Sequence, residues 1–267
     1  MRHTTRYSRM LATAVALICA ALAPMSVKAQ ILETETARPL RAGELEVGAG
    51  YEFQHSSEGN ETAIPFAFEL GITNRLGLLV EPVAYTAIRP KTGPSATGPG
   101  DLEITASYLL RGESGPIPAL AIAFEEKIPT ARNNLIGTGK PDHAAYLIAS
   151  KRLGRFDMHA NVGYTIVGSP SGLSLSNRVM GALATELSLT PSTLLYGEVL
   201  ASTAAGGGEG VPAAPGTPVA PEASGDEVFG TLGIAHSFFP GSRLSLGLTR
   251  DNVGAVQVRP GITLWFR

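Results

Sequence analysis

The chain has 267 residues, with 21 Lys and Arg against 23 Asp and Glu, so its formal net charge is −2. This balance argues against a nucleic-acid partner, because proteins that bind nucleic acids concentrate positive charge. Hydrophobic residues make up 44% of the chain, which also carries 31 Gly and 19 Pro, a composition that suits many strands joined by turns.

Residues 1–29 have the plan of a secretory signal peptide. Arg2, Arg6 and Arg9 precede an apolar run from residue 11 to about residue 24, and small side chains follow at a cleavage site. The run is shorter than the ~20 residues of a spanning helix, and no later apolar run is long enough to cross a bilayer. Cleavage after Ala29 removes four of the 21 basic residues and no acidic residue, which leaves 17 against 23 and a charge of −6.

From residue 44 onward, the sequence repeats segments of roughly ten residues in which apolar and polar side chains alternate. A period of two indicates a strand with one apolar face and one polar face. The predicted strands cover residues 45–53, 64–71, 76–89, 102–111, 117–129, 143–152, 156–166, 177–189, 193–202, 227–239, 243–250 and 256–267.

The predicted connections alternate between long and short, which is typical of outer-membrane barrels with long outer loops and short periplasmic turns. Only the short connection at residues 251–252 breaks the alternation. We therefore predict an all-β, transmembrane, antiparallel up-and-down β-barrel of about 12 strands. Because backbone groups in hydrocarbon cannot bond to water, the last strand must pair with the first. Trp265 and Phe266 suit the aromatic girdle at the membrane interface.

Three segments outside the predicted strands carry expectations of their own. Residues 30–43 are predicted to form a periplasmic N-terminal segment that precedes a barrel over residues 44–267. The loop at residues 130–142 is long enough to plug the lumen. Residues 203–225 are almost all Ala, Gly, Pro and Glu, a composition that predicts a mobile loop.

If the apolar faces meet lipid, the opposite faces line the lumen. An Arg or Lys on the lipid side at mid-membrane costs roughly 2–4 kcal/mol, so parity is a strong constraint. By this alternation, the inner face is also expected to carry Glu46, Glu52, Glu69, Glu81, Asn161 and Lys151. Two interpretations stay open: paired charges that fill a narrow barrel, or a wet, partly acidic passage that selects solutes. The lumen-lining candidates are Glu103, Glu125, Lys127, Asp157, His159 and Arg259.

No enzymatic or metal site is predicted. His159 and Asn161 share a strand face, but the sequence places no serine near them on that face. A surface hydrolase would depend on His143 or His159 as its base. The only cysteine, Cys19, lies in the signal peptide, and no two histidines have ligand spacing. We therefore predict no catalytic residue, no metal and no cofactor.

Several short motifs resemble a known family. They are Gly98-Pro99-Gly100-Asp101-Leu102-Glu103, Tyr108-Leu109-Leu110-Arg111, Glu126-Lys127-Ile128-Pro129-Thr130, Gly137-Thr138-Gly139-Lys140 and Asn161-Val162-Gly163-Tyr164. Together they resemble the bacterial outer-membrane proteins named for the phenol-degradation meta-pathway, which are often labelled transporters. The chain departs from that family at Ala131, where a glycine is common, and in the insertion after Ser202.

The resemblance implies an outer-membrane barrel that takes up small organic compounds, aromatic ones among them, and it supplies no catalytic or ligand residues. The expected location is the outer membrane of a Gram-negative cell. The expected partners are outer-membrane lipid, the barrel-assembly machinery and a small organic solute, with no nucleic acid. Two alternatives stay open: a non-conducting structural or adhesive barrel, and an exported soluble β-sandwich.

Overall fold

The computed structural model describes residues 32–205 and 226–267. The predicted signal peptide and most of the predicted mobile loop at residues 203–225 lie outside the described residues. Within the described ranges, no helix has the length and apolar character needed to cross a bilayer.

The described chain is built from antiparallel strands. The alternation of apolar and polar side chains explains why these segments pair, because each strand presents one face to each side of the wall. The strands are β1 (Leu45–Gly50), β2 (Glu52–His55), β3 (Gly59–Gly71), β4 (Leu76–Pro90), β5 (Ala96–Gly98), β6 (Leu102–Arg111), β7 (Ala119–Ile128), β8 (Asp142–Leu153), β9 (Phe156–Ile166), β10 (Arg178–Ser188), β11 (Thr193–Ser202), β12 (Glu227–His236), β13 (Ser242–Asp251) and β14 (Val256–Phe266).

The sheet closes on itself, as predicted. β14 pairs with β1, where Phe266 lies opposite Leu45, and with β2, where Val256 lies opposite His55. β1 and β2 are two parts of one wall strand that is interrupted at Tyr51, whose N–H donates to the Pro260 carbonyl at 3.0 Å. The short β5 only supplements the outer half of β4. The barrel therefore has 12 wall strands, which confirms the predicted fold class.

Two details of the outer loops differ from the prediction. β3 begins at Gly59, so its first residues lie in the connection between the predicted strands 45–53 and 64–71. The loop at residues 90–100 contains β5, which is only three residues long. A segment of three residues is too short to show a periodic pattern, and pairing with β4 is what makes it a strand.

The two faces of the wall differ sharply in chemistry. Apolar side chains on the outer face are exposed, among them Leu232 at 73% and Leu183 at 66%. Their inner-face neighbours Thr231 and Ala182 are buried. An apolar belt of this extent is foreign to the surface of a soluble protein and suits contact with lipid tails. The end of the barrel with the short turns faces the periplasm by the rule for such barrels.

Candidate functional site

Residues 32–40, which we call the N-terminal strap, enter the barrel instead of remaining in the periplasm. Ala37 is 0% exposed and packs inside the barrel against alanines of β7 and Ile148 of β8. Leu32 packs against Leu194 and Tyr196 on the inner face of β11, and against Ala235. The expectation that residues 30–43 lie in the periplasm is therefore wrong for the strap.

The strap enters the lumen over two glycines at the short-turn end. A Cβ on Gly71 would lie 2.0 Å from the Arg41 carbonyl oxygen, and one on Gly77 would lie 3.3 Å from the Cβ of Pro39. A tight turn then joins the strap to β1: Gly43 has a φ of 81°, and the Glu44 N–H donates to the Arg41 carbonyl at 2.9 Å. Small residues at these positions let the chain bend inward without displacing the wall.

The wall holds the backbone of the strap through three polar side chains. Glu198 accepts from the N–H of Glu33 at 3.2 Å and from the N–H of Thr34 at 2.6 Å. The Asn161 amide, oriented by its neighbours, accepts from the Glu35 N–H at 2.6 Å and donates to the Glu35 carbonyl at 2.9 Å.

The third of these side chains is Ser150, whose hydroxyl accepts from the Ala37 N–H at 2.8 Å. All three wall residues are buried, so these bonds replace water for the backbone groups of the strap.

An ionic latch fixes the strap at the periplasmic rim. The Arg38 guanidinium donates to both oxygens of Asp157, at 2.9 and 3.1 Å, and to Glu113 at 2.9 Å. Glu113 lies in the turn after β6 and also accepts from Lys151 at 2.8 Å. The hydrogen bond from Lys151, followed by that from Arg38, lowers the pKa of Glu113 to about 2. The latch is therefore fully charged at neutral pH.

A second ion group lies at the other end of the strap. Arg259, on the inner face of β14, is 12% exposed and contacts Glu33 of the strap and Glu52 of β2, each at 2.7 Å. Because Glu52 and Arg259 belong to the first and last wall strands, this group ties the strap to the closing seam of the barrel.

The remaining lumen-lining candidates lie on the inner faces of β6 and β7. Lys127 pairs with Asp142 at 2.5 Å. Glu125 accepts from Tyr146 at 3.2 Å, and Glu103 lies opposite Lys127 in the strand register. Lys151, which we also expected on the inner face, lies on the outer face, because it alternates with the buried Ser150.

Asp157 and His159, on β9, form a contact chain that sequence analysis missed. The Ser150 hydroxyl lies 2.9 Å from Nδ1 of His159, whose Nε2 lies 3.9 Å from Asp157. The order is that of a hydrolytic triad, and the serine comes from the neighbouring strand β8. However, Ser150 is 1% exposed, and its oxygen is bonded to the Ala37 N–H. The Ser150 hydroxyl therefore binds the strap and is not available as a nucleophile.

A small cavity remains between the strap and the wall. Its volume is about 50 Å³, enough for a few water molecules. The acidic side chains Glu35, Glu46, Glu69, Glu81 and Glu186 line it together with His159. No group of His, Cys, Asp or Glu with metal-binding geometry occurs in the described parts of the chain.

The loop at residues 130–142, our candidate plug, lies at the outer rim. There the Thr130 hydroxyl donates to the Gly100 carbonyl at 2.9 Å, and the Ala131 N–H donates to Asp101 at 2.9 Å. The strap is the segment that fills the lumen among the described residues. It has no periodic pattern that could have revealed this role, and Glu198 and Ser150 were missed because their function depends on it.

Comparison with known proteins supports the fold. No family model and no curated protein matches the chain. Among solved structures, the COG4313 outer membrane channel from Pseudomonas putida F1 is similar over 88% of this chain and 100% of its own, at 15% identity and a TM-score of 0.62. The NanC porin covers 82% of this chain and 98% of its own, at 8% identity and a TM-score of 0.55.

The KdgM porin in complex with disordered oligogalacturonate covers 83% of this chain and 99% of its own, at 9% identity and a TM-score of 0.54. These neighbours are outer-membrane channels and porins, and none of the three is named as an enzyme. With the closed 12-stranded wall and its apolar outer belt, they show that this chain is an outer-membrane β-barrel.

Proposed function

We propose that this barrel passes small organic solutes, aromatic and hydrophobic ones among them, across the outer membrane, and that the strap controls access to the lumen. The observation that carries the proposal is a closed wall whose inner face is polar and whose interior is filled by a segment held mainly through hydrogen bonds and ion pairs. Polar bonds of this kind can be exchanged for bonds to water when the strap leaves.

The charges on the inner face favour one class of solute. Carboxylates outnumber basic groups there, and fixed charges along a pore attract ions of the opposite sign. A neutral or cationic solute is therefore favoured over an anionic one. The inner-face acids include Glu46, Glu52, Glu69, Glu81, Glu103, Glu125, Asp142, Asp157, Glu186, Glu198 and Glu227, and the inner-face bases include Lys127, Arg152, Arg178, Arg243 and Arg259.

Planar-bilayer recording in a KCl gradient tests this proposal. The expected reversal potential has the sign of K⁺ selectivity, because the carboxylates concentrate cations in the lumen. Swelling of proteoliposomes should be faster in benzyltrimethylammonium chloride than in sodium benzenesulfonate. These two aromatic salts are of similar size, and both keep their charge at every pH used.

Three outcomes would contradict the proposal. Selectivity for Cl⁻ would show that the carboxylates do not set the field in the passage. If neither the wild type nor a variant with a weakened strap conducts ions, a non-conducting structural barrel is favoured. Activity of a surface hydrolase, lost on substitution of His143 or His159, would also require a different function.

A further inference from the structure

The lumen holds the strap, which bends at Glu33 and Ala37, and the wall bonds to its peptide backbone as well as to its side chains. Glu198 and Asn161 engage the main chain of three consecutive residues, Glu33 to Glu35, and Ser150 engages that of Ala37. The Asn161 amide pairs with both the N–H and the carbonyl of one residue, as a neighbouring strand would. Because the barrel is closed, no wall strand of the described residues has a free edge that could do this, and wall side chains take its place.

Bonds to backbone atoms do not depend on the sequence of the bound segment. Every peptide carries the same N–H and carbonyl groups at the same spacing along an extended chain. The three wall side chains would therefore satisfy the backbone of any peptide that enters the lumen in the conformation of the strap.

Selectivity comes from two neighbouring positions of the strap. The Ala37 side chain is 0% exposed and lies among Ala119, Ala121, Ala123 and Ile148, so only a small residue fits there. The next residue, Arg38, places its guanidinium on both oxygens of Asp157 at 2.9 and 3.1 Å. Both contacts come from one nitrogen, Nη1, while Nη2 donates to Glu113 at 2.9 Å. A planar guanidinium that spans two carboxylates in this way selects arginine over lysine, whose charge sits on a single nitrogen.

We propose that the lumen is a binding groove for peptide segments that contain a small residue followed by arginine, and that the strap is its resident occupant. This inference rests on the proposed passage function, because an external peptide can enter only when the strap leaves. The strap is covalently attached and competes at an effective concentration in the millimolar range. A free peptide therefore binds the small fraction of molecules in which the strap is displaced.

The test uses the full processed chain in detergent and a fluorescein-labelled heptapeptide with the sequence of residues 32–38, Leu-Glu-Thr-Glu-Thr-Ala-Arg. Fluorescence anisotropy measures its binding. A Thr36→Cys/Ser150→Cys variant supplies the key control, because the hydroxyl oxygens at these positions are 3.2 Å apart and a disulfide there would keep the strap in place. An Arg38→Ala variant weakens the strap and leaves Asp157 available.

Peptide binding should be absent in the oxidised double-cysteine variant and should rise after reduction to the level of the Ser150→Cys single variant, which lacks the same hydroxyl. The Arg38→Ala variant should bind the peptide about tenfold more tightly than the wild type, because its own strap competes less well. A peptide with Phe in place of the alanine should bind about tenfold or more weakly than the original, because the ring would overfill the site between β7 and β8.

Two results would overturn the inference. Equal binding to the oxidised and reduced forms would place the peptide outside the lumen, and equal binding of the Ala and Phe peptides would remove the specificity. Conductance of the same samples separates this inference from the passage function. If the reduced protein conducts KCl and no peptide binds, only the groove is wrong. If the peptide binds and no variant conducts, the groove is right and the passage is wrong.

Discussion

At the residue scale, the lumen shows how a glycine can be required by a side chain on the next strand. Tyr196 of β11 lies opposite Gly233 of β12, and a Cβ on Gly233 would lie 2.0 Å from the tyrosine hydroxyl oxygen and 2.5 Å from a backbone carbonyl. The ring therefore lies flat against the wall, where it forms the surface that receives Leu32 of the strap.

Substitution of Gly233 by Ala should therefore destabilise the barrel by about 1–3 kcal/mol, the usual cost of overpacking. The measurement is urea-induced unfolding of the purified protein in detergent or lipid vesicles. Gly181→Ala is the matched control, because Gly181 is also a strand glycine and its added Cβ would meet no atom within 4 Å. Equal effects of the two substitutions would contradict the packing argument.

Glu113 gives a second prediction, about pH. Its pKa falls from 4.5 to about 2 because Lys151 and Arg38 stabilise the carboxylate. A depressed folded-state pKa adds stability that is complete above about pH 4.5 and is lost as the pH falls toward 2. The thermal unfolding midpoint of Glu113→Gln should thus lie below that of the wild type at pH 7.5 and at pH 5, and the two should converge near pH 2. Convergence already at pH 5 would show that the latch is not charged as described.

At the element scale, the strands were predictable and the strap was not. A strand such as β9 carries its own evidence, since Asp157, His159 and Asn161 alternate with apolar residues that must face lipid. The strap carries no such evidence, because a short polar segment can be extended in water or inside a lumen. Its position depends on the wall residues that receive it, which lie 113 to 165 positions away in the sequence.

The closing seam was predictable for a different reason. Closure follows from the physics of hydrocarbon, so pairing of the last strand with the first needed no sequence signal of its own. The structure shows two contacts at the seam that the sequence pattern did not predict. The Trp265 indole N–H donates to Glu46 of β1 at 2.7 Å, and the Arg243 guanidinium lies 5.5 Å from the centre of the Trp265 ring.

The latch of the strap leads to a third prediction. Arg38→Ala removes the bonds to Asp157 and Glu113, so the strap should leave the lumen more often and the open probability should rise about tenfold, which corresponds to ~1.4 kcal/mol. Single-channel recording gives this number directly. Arg41→Ala is the matched control, because Arg41 is exposed and belongs to the turn that follows the strap. An equal rise in both variants would contradict the role of the latch.

At the scale of the whole molecule, the sequence predicted the barrel but not whether its lumen is open or filled. Alternating strands, alternating connections and the need for closure together specified about 12 strands, and the structure has 12 in its wall. Whether the interior is open or filled depends on where one short segment lies. The six lumen-lining candidates all lie on inner faces, and three of them, Asp157, His159 and Arg259, take part in holding the strap or its partners.

Controlled passage through this barrel therefore requires that the strap be a movable occupant of a conducting lumen. The most direct test is single-channel recording of the Thr36→Cys/Ser150→Cys variant in planar bilayers, before and after reduction, with each single-cysteine variant as a control. We predict a closed channel in the oxidised form, recovery of conductance after a reducing agent is added, and no response to reductant in the single variants. The same conductance in the oxidised and reduced forms would contradict the account.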